Sequence, residues 1–196
     1  MSTATAIQTS PMPPAMTAPT KIRAEDFLKM DLGEGLHELV DGEIILVPPA
    51  EYAHGFVCGR AYFLFEVYGR TTNHGHAATN DSLVPVDEFN VRGADVQYFR
   101  EARWSRTRIG MERPPVAPDL VVEVASPSDR PAKVLRQVAA YLEAGVSVVL
   151  LLNPIDKSLA IYRGDTLKAI ILNESATLEN LPELPDFRCQ VSEFFS

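Results

Sequence analysis

The sequence predicts an α/β fold, a mixed central sheet flanked by helices with an N-terminal β-hairpin, and two observations carry the prediction. Residues 120–125 (LVVEVA) are apolar at every position but Glu123, a polar turn and an amphipathic helix follow, and residues 146–152 are again continuously apolar. Buried strand, helix and buried strand with short connections make a right-handed crossover unit, with a parallel strand pair at the centre of the sheet. Upstream, residues 37–47 (HELVDGEIILV) read as two strands around Asp41-Gly42, a favoured two-residue hairpin turn.

Taken in order, residues 1–20 carry no charge and contain four prolines among many threonines, the composition of a disordered lead-in. They lack the basic start and continuous apolar core of a secretory signal. Residues 21–196 are expected to form one domain. Residues 21–30 suit a short helix with Ala24, Phe27 and Leu28 on one side. After the hairpin, Phe56, Val57, Leu64, Phe65 and Val67 place a helix over residues 52–68, beginning near His54. Residues 73–86 and 93–99 read as strands, the second carrying Asp95 between Ala94 and Val96. In the turn before the crossover helix, Ser126, Ser128 and Asp129 are candidate caps, and Pro131 suits a first helical turn. Val134, Val138, Tyr141 and Leu142 form its apolar stripe, and Gly145 is placed to end it. Residues 158–162 and 167–172 pair around Gly164-Asp165, and residues 191–195 close the chain.

With 26 acidic against 18 basic residues, the net charge of −8 argues against generic binding to polyanions. A nucleic-acid role needs a local basic surface, and one segment offers it: Arg100, Arg103, Arg106, Arg108 and Arg113 fall between residues 99 and 118, beside Trp104. Arginine forks and an aromatic face suit phosphate and bases, and the same composition suits a solvated connecting loop. Cys58 and Cys189 match no metal spacing and are expected to be free thiols in a reducing compartment. No stretch reaches the roughly 18 uninterrupted apolar residues of a membrane span, so a cytoplasmic location is expected.

Glu123 stands out because an ionised carboxylate in a buried strand is costly unless it is paired, ligated or beside a cleft. Asp119 has the same strand parity, about 13 Å away along an extended strand, too far to share one ion with it. Asp95 and Glu123 lie on different strands, each among apolar neighbours, as hard oxygen ligands for Mg²⁺ do in a centre that cleaves phosphodiesters. Lys133 and Gln137 are one turn apart on a flank of the crossover helix, on a face directed back toward the acidic strand. His74 and His76 offer only a two-ligand set, and His54 at a helix start reads as a local hydrogen-bonding group. The absence of a GxSxG motif, a Walker loop and a Gly-rich dinucleotide fingerprint argues against serine-nucleophile, nucleotide-hydrolase and dehydrogenase chemistry, and no organic cofactor is expected.

HELVDGEIILV, His54, VRGADVQYF, PDLVVEVASPSDR, YLEAGV, and LLNP before IYRG, in this order and spacing, resemble the Uma-two family of restriction endonucleases, within the PD-(D/E)XK nuclease superfamily. The resemblance implies a restriction-endonuclease-like core and Mg²⁺-dependent hydrolysis of DNA phosphodiesters, with Mn²⁺ as a substitute and a homodimer as a reasonable assembly. By that resemblance Asp95 matches the first catalytic aspartate, which usually follows a proline where this chain has Ala94. Glu123 matches the acidic residue of the second half-motif, and Glu38 matches a hairpin glutamate that can join the metal shell. The family's catalytic lysine commonly sits four residues before the tyrosine matched by Tyr141, and here that position is Gln137. A neutral amide cannot supply the charge of an ammonium, so either Lys133, one turn earlier, replaces it or the chain keeps a weakened or inactive nuclease fold as a binding or dimerisation module.

Overall fold

The computed structural model describes residues 21–164 and 166–196, so the lead-in expected over residues 1–20 lies outside it, as does Asp165 of the second hairpin turn. The first turn sets the opening hairpin. Asp41 and Gly42 both have positive φ (52° and 82°), as a two-residue hairpin connection requires. They join β1 (Leu36–Val40) to β2 (Glu43–Val47) in continuous antiparallel register. The helix before them, α1 (Ala24–Phe27), is shorter than the residue pattern suggests. The amides of Lys29 and Met30 bond three residues back rather than four, so the chain tightens and leaves the helix there. Ala24 and Phe27 bury against Leu39 and Val91.

Helix α2 (Tyr52–Thr72) runs past residue 68 to Asn73, whose left-handed backbone ends it. Then come β3 (Gly75–Asp87), β4 (Asn90–Arg100), β5 (Leu120–Val124), α3 (Pro131–Glu143) and β6 (Val148–Asn153). β7 (Ser158–Arg163) and β8 (Thr166–Leu172) follow. The strand order is β2-β1-β4-β5-β6-β7-β8, with β3 also pairing β4. β5 and β6 are parallel from Leu120↔Val148 to Val124↔Leu152, and the other pairs in the sheet are antiparallel. The α3 start differs from expectation in one detail. Its N-cap is Arg130, while Asp129 turns back to accept a hydrogen bond from the Ser126 amide. A small pair, β9 (Thr177–Leu178) with β10 (Cys189–Gln190), and a 3-10 turn over Val191–Phe194 complete the fold.

The two helices cover opposite faces. Val57, Ala61 and Phe65 of α2 pack on Ala77, Val96, Tyr98, Val122 and Val124, whereas Val138 and Tyr141 of α3 pack on Val84, Val86, Ala94, Val121 and Val149. Residues i and i+2 of a regular strand share a face, yet Ala94 belongs to the α3 side and Val96 to the α2 side. The change falls opposite an irregularity in β3. Its register with β4 passes from Thr79↔Val96 to Ser82↔Ala94, so one residue is inserted there, with Asn80 at φ 66°. This bulge stands opposite Asp95 and re-aims the strand. It is braced by Thr79 donating to the Asp95 carbonyl (2.9 Å) and by Ser82 donating to the Thr79 carbonyl (2.8 Å).

Candidate metal centre

The other edge of β4 is shared by two strands that do not meet. β1 touches it at Leu39↔Val91, and β5 takes over only at Val96↔Val122. In the gap, side chains replace the missing ladder. Glu38 Oε1 accepts the Gly93 amide at 2.9 Å, with Arg92 Nη1 3.4 Å from Oε2. Asp95 Oδ2 accepts the Val124 amide at 2.7 Å. Because β4 changes sides at Asp95, its carboxylate lies between the two helical layers and is reached from both.

Glu123 points to the α3 side. Continuing the β4–β5 register by one step sets it opposite Asp95, and its Oε1 is buried without a hydrogen-bond partner. Burial first, then the negative charge of Asp95 and more weakly that of Glu38, push its carboxyl well above the ordinary range. Tyr141 and Gln137 face it and oppose the rise, but neither closes to a hydrogen bond of normal geometry, and the Tyr141 hydroxyl is itself buried and unpartnered. A small cavity of about 30 Å³ is lined by Glu123, Asp129, Lys133 and Gln137, among others. Lys133 and Gln137 thus both border the space in front of Glu123, Gln137 half-buried and Lys133 more exposed.

A hard divalent cation fits this chemistry. The donors are carboxylate oxygens, one has an unsatisfied buried atom, and a cation would offset the burial and the neighbouring negative charge that raise the Glu123 carboxyl. Glu38 is engaged by Arg92 and the Gly93 amide, and its charge is felt at Glu123.

His54, expected to bond locally, reaches the candidate centre instead. Its Nε2 is 3.3 Å from Asp95 Oδ2, and its Nδ1 is 3.4 Å from Cys58 Sγ. The i, i+4 spacing of His54 and Cys58 on α2 carries the signal, but what they face depends on how the helix packs on the sheet.

The other polar candidates have structural partners. Asp119 has partners of its own, apart from Glu123. It is fully buried at the far end of the β4–β5 ladder, where it accepts the Arg100 amide (2.9 Å) and Arg100 Nε (2.7 Å), with Arg103 at 3.4 Å. Arg106 forms a fork on Glu66 (2.7 and 3.2 Å), which also accepts Arg70 and the Ala77 amide. Arg108 lies over Trp104, which is buried, and Arg113 reaches the Leu28 carbonyl. The arginine-rich segment is therefore tied into the fold at all five positions, and the loop reading describes it better than an open phosphate-binding surface. His74 and His76 take different partners, the Tyr98 hydroxyl and the Phe99 ring.

The sequence profile of the Uma2 (Uma-two) family, described as "Putative restriction endonuclease", matches residues 24–192. The chain belongs to the Uma2 family. A crystal structure of a protein from Anabaena variabilis ATCC 29413, described as a putative nuclease belonging to DUF820, is similar to this Uma2 chain with a TM-score of 0.74 at 18% sequence identity. The match covers 89% of this chain and 97% of that one, and at that identity it is a likeness of fold. No protein with a curated description matches the chain by sequence. The Uma2 core is thus a restriction-endonuclease-like α/β fold, and among the described residues no helix is long and apolar enough to cross a membrane.

Proposed function

We propose that this Uma2 protein is a metal-dependent endonuclease of the PD-(D/E)XK type, hydrolysing DNA phosphodiester bonds with Mg²⁺, or Mn²⁺ in its place. The observation that carries the reading is the Asp95–Glu123 pair: two carboxylates from adjacent strands face one another, one with a buried oxygen that no described residue satisfies. Asp95 and Glu123 would hold the ion and Glu38 would assist, fixed by Arg92 and the Gly93 amide. When bound, the cation supplies Lewis-acid polarisation of the scissile phosphate and acidifies a water.

The chain's own residues do the rest. Val124 donates its amide to Asp95 Oδ2 and holds that carboxylate in the sheet gap. Gln137 borders the cavity where an attacking water would sit and orients it through its amide. Lys133, one turn earlier on α3, brings its ammonium to the mouth of the same cavity and meets a phosphate oxygen. The working unit is a single domain over residues 21–196, in a reducing compartment such as the cytoplasm. A homodimer would set two centres on the two strands of DNA.

Cleavage of single- and double-stranded DNA by the purified protein with Mg²⁺ or Mn²⁺ tests the reading. Cleavage that requires the ion and disappears in Asp95→Ala supports it, and cleavage that survives Asp95→Ala combined with Glu123→Ala sinks it.

Gln137 favours a second reading, a nuclease fold retained for binding or dimerisation without cutting. In that case the natural protein binds DNA with no cleavage, and Gln137→Lys creates cleavage.

A further inference from the structure

The geometry points to a second and softer metal site on the opposite side of Asp95: His54, Cys58 and Asp95 bind Zn²⁺ or a transition ion of the same class. One ligand atom from each of the three residues lies within 4.8 Å of the other two, and among the described residues no other set of three metal-ligating groups converges so closely. In particular, Asp95, Glu123 and Glu38 do not.

The donors are one imidazole nitrogen, one sulfur and one carboxylate oxygen. Mg²⁺ takes oxygen ligands and near-octahedral geometry, whereas nitrogen with thiolate sulfur is the donor set of tetrahedral Zn²⁺. His54 and Cys58 are four residues apart in the first turns of α2 and so share a face of the helix, the face that meets the gap in the β4 edge. Asp95 enters from the sheet, at the point of β4 that faces the β3 bulge. The imidazole stands between its neighbours, with Cys58 Sγ 3.4 Å from Nδ1 and Asp95 Oδ2 3.3 Å from Nε2.

Around Zn²⁺ with bonds of about 2.3 Å to sulfur and about 2.0 Å to nitrogen, tetrahedral ligand atoms are roughly 3.3–3.6 Å apart. Rotations about the His54 and Cys58 side-chain bonds close the remaining distance. His54 and Cys58 are only half-buried, so an ion reaches them from solvent. Three protein donors leave a fourth position for water. Cys58 binds as the thiolate, its proton passing to solvent.

Sharing Asp95 has a regulatory consequence, which rests on the nuclease reading. An ion held by His54 and Cys58 draws on the carboxylate that the Mg²⁺ centre needs, so Zn²⁺ inhibits cleavage from a site that Mg²⁺ does not occupy.

The test uses the full chain stripped of metal and titrated with Co²⁺. Expected are visible bands of a tetrahedral ion and a near-ultraviolet thiolate-to-cobalt charge-transfer band, saturating at one ion per chain and displaced by Zn²⁺. Cys58→Ser removes the charge-transfer band, and His54→Ala weakens binding at least about tenfold. X-ray absorption of the Zn²⁺-loaded natural protein needs no variant to fold and should show one sulfur at about 2.3 Å with nitrogen and oxygen ligands. No charge-transfer band, a band that survives Cys58→Ser, or a sulfur-free Zn²⁺ shell overturns the site. Cleavage assayed alongside keeps the two readings separate. If DNA is never cut, the nuclease reading fails while the cobalt spectrum still decides the site; if DNA is cut, Zn²⁺ inhibition should be weaker in Cys58→Ser than in the natural protein, each relative to its own uninhibited rate, and equal inhibition overturns the coupling.

Discussion

The β4–β5 ladder ends at both extremities on an aspartate, and the two ends have opposite surroundings. At one end Asp119 of the β5 side accepts the Arg100 amide of β4; at the other, Asp95 of β4 accepts the Val124 amide of β5. The backbone task is the same, closing a ladder where the strands part. The electrostatic setting is not. Asp119 is matched by Arg100 and Arg103, so its charge is compensated inside the protein. Asp95 faces Glu123 and His54 instead, with Glu38 nearby, and the cost of gathering carboxylates falls on Glu123. A protein leaves such a cluster uncompensated where something from outside completes it, and that contrast separates a latch from a candidate centre.

The largest expected effect breaks the comparison from both sides. Asp95→Ala should lower metal-dependent cleavage by roughly 10²–10³-fold while thermal unfolding shifts little in comparison. Asp119→Ala should do the reverse, costing on the order of 1–3 kcal/mol of stability because it leaves the Arg100 amide without its acceptor and takes the partner from two partly exposed arginines, with the surviving folded fraction still able to cut. Parallel cleavage assays and denaturant titrations of the two variants decide it. Equal losses of activity per folded molecule would erase the distinction between the two ends.

Much of the fold was legible before the structure. Asp41-Gly42 declared the hairpin, and the run from residue 120 to residue 152 declared the parallel pair, because both signals are local: a turn with positive φ, and apolar periods of two and 3.6. Glu123 was legible as a problem, since an acid in a buried strand needs a reason. What could not be read was the bulge at Asn80. It depends on the register between β3 and β4, and it stands where β4 passes from one face to the other at Asp95. The convergence of His54 and Cys58 on that carboxylate depends on how α2 packs on the sheet. The arginine segment was ambiguous for the same kind of reason, because Asp119 and Glu66, which bind its side chains, come from β5 and α2.

The next effect sharpens the candidate centre. If Lys133 and Gln137 only partly supply the missing ammonium, Gln137→Lys restores a charge contact to the phosphate and should raise the cleavage rate on the order of a hundredfold, read in single-turnover assays. A change of less than about threefold would mean that Lys133 already does this work, and Lys133→Ala should then be the damaging variant.

A smaller effect tests a compensated carboxylate elsewhere. Burial alone would raise the Glu66 carboxyl, but hydrogen bonds from Arg106, the Ala77 amide and Arg70 outweigh it and hold it at about 2. A lowered native value stabilises the protein above the unfolded value of 4.5, and this stabilisation drains away as pH falls from there toward 2. It amounts to on the order of 2–3 kcal/mol, and acid denaturation of Glu66→Gln should lack that segment of the curve. A Glu66→Gln profile parallel to that of the natural protein would show that the arginine fork does not set the acid limit.

Glu123 should show the opposite sign at the smallest amplitude. Its native carboxyl is raised, so whatever it contributes is present at low pH and is lost as pH climbs above the ordinary carboxylate range through the native value. Glu123→Gln removes the charge and keeps the shape, and at neutral pH the metal-free variant should melt about 2–4 °C higher than the natural protein, the shift that about 1 kcal/mol gives a chain of this size. With saturating Mg²⁺ the order should reverse, because only the natural protein binds the ion and gains stability from it. A variant less stable than the natural protein without metal would mean that the Glu123 charge is compensated inside the fold after all, and that this end of the ladder is a second latch.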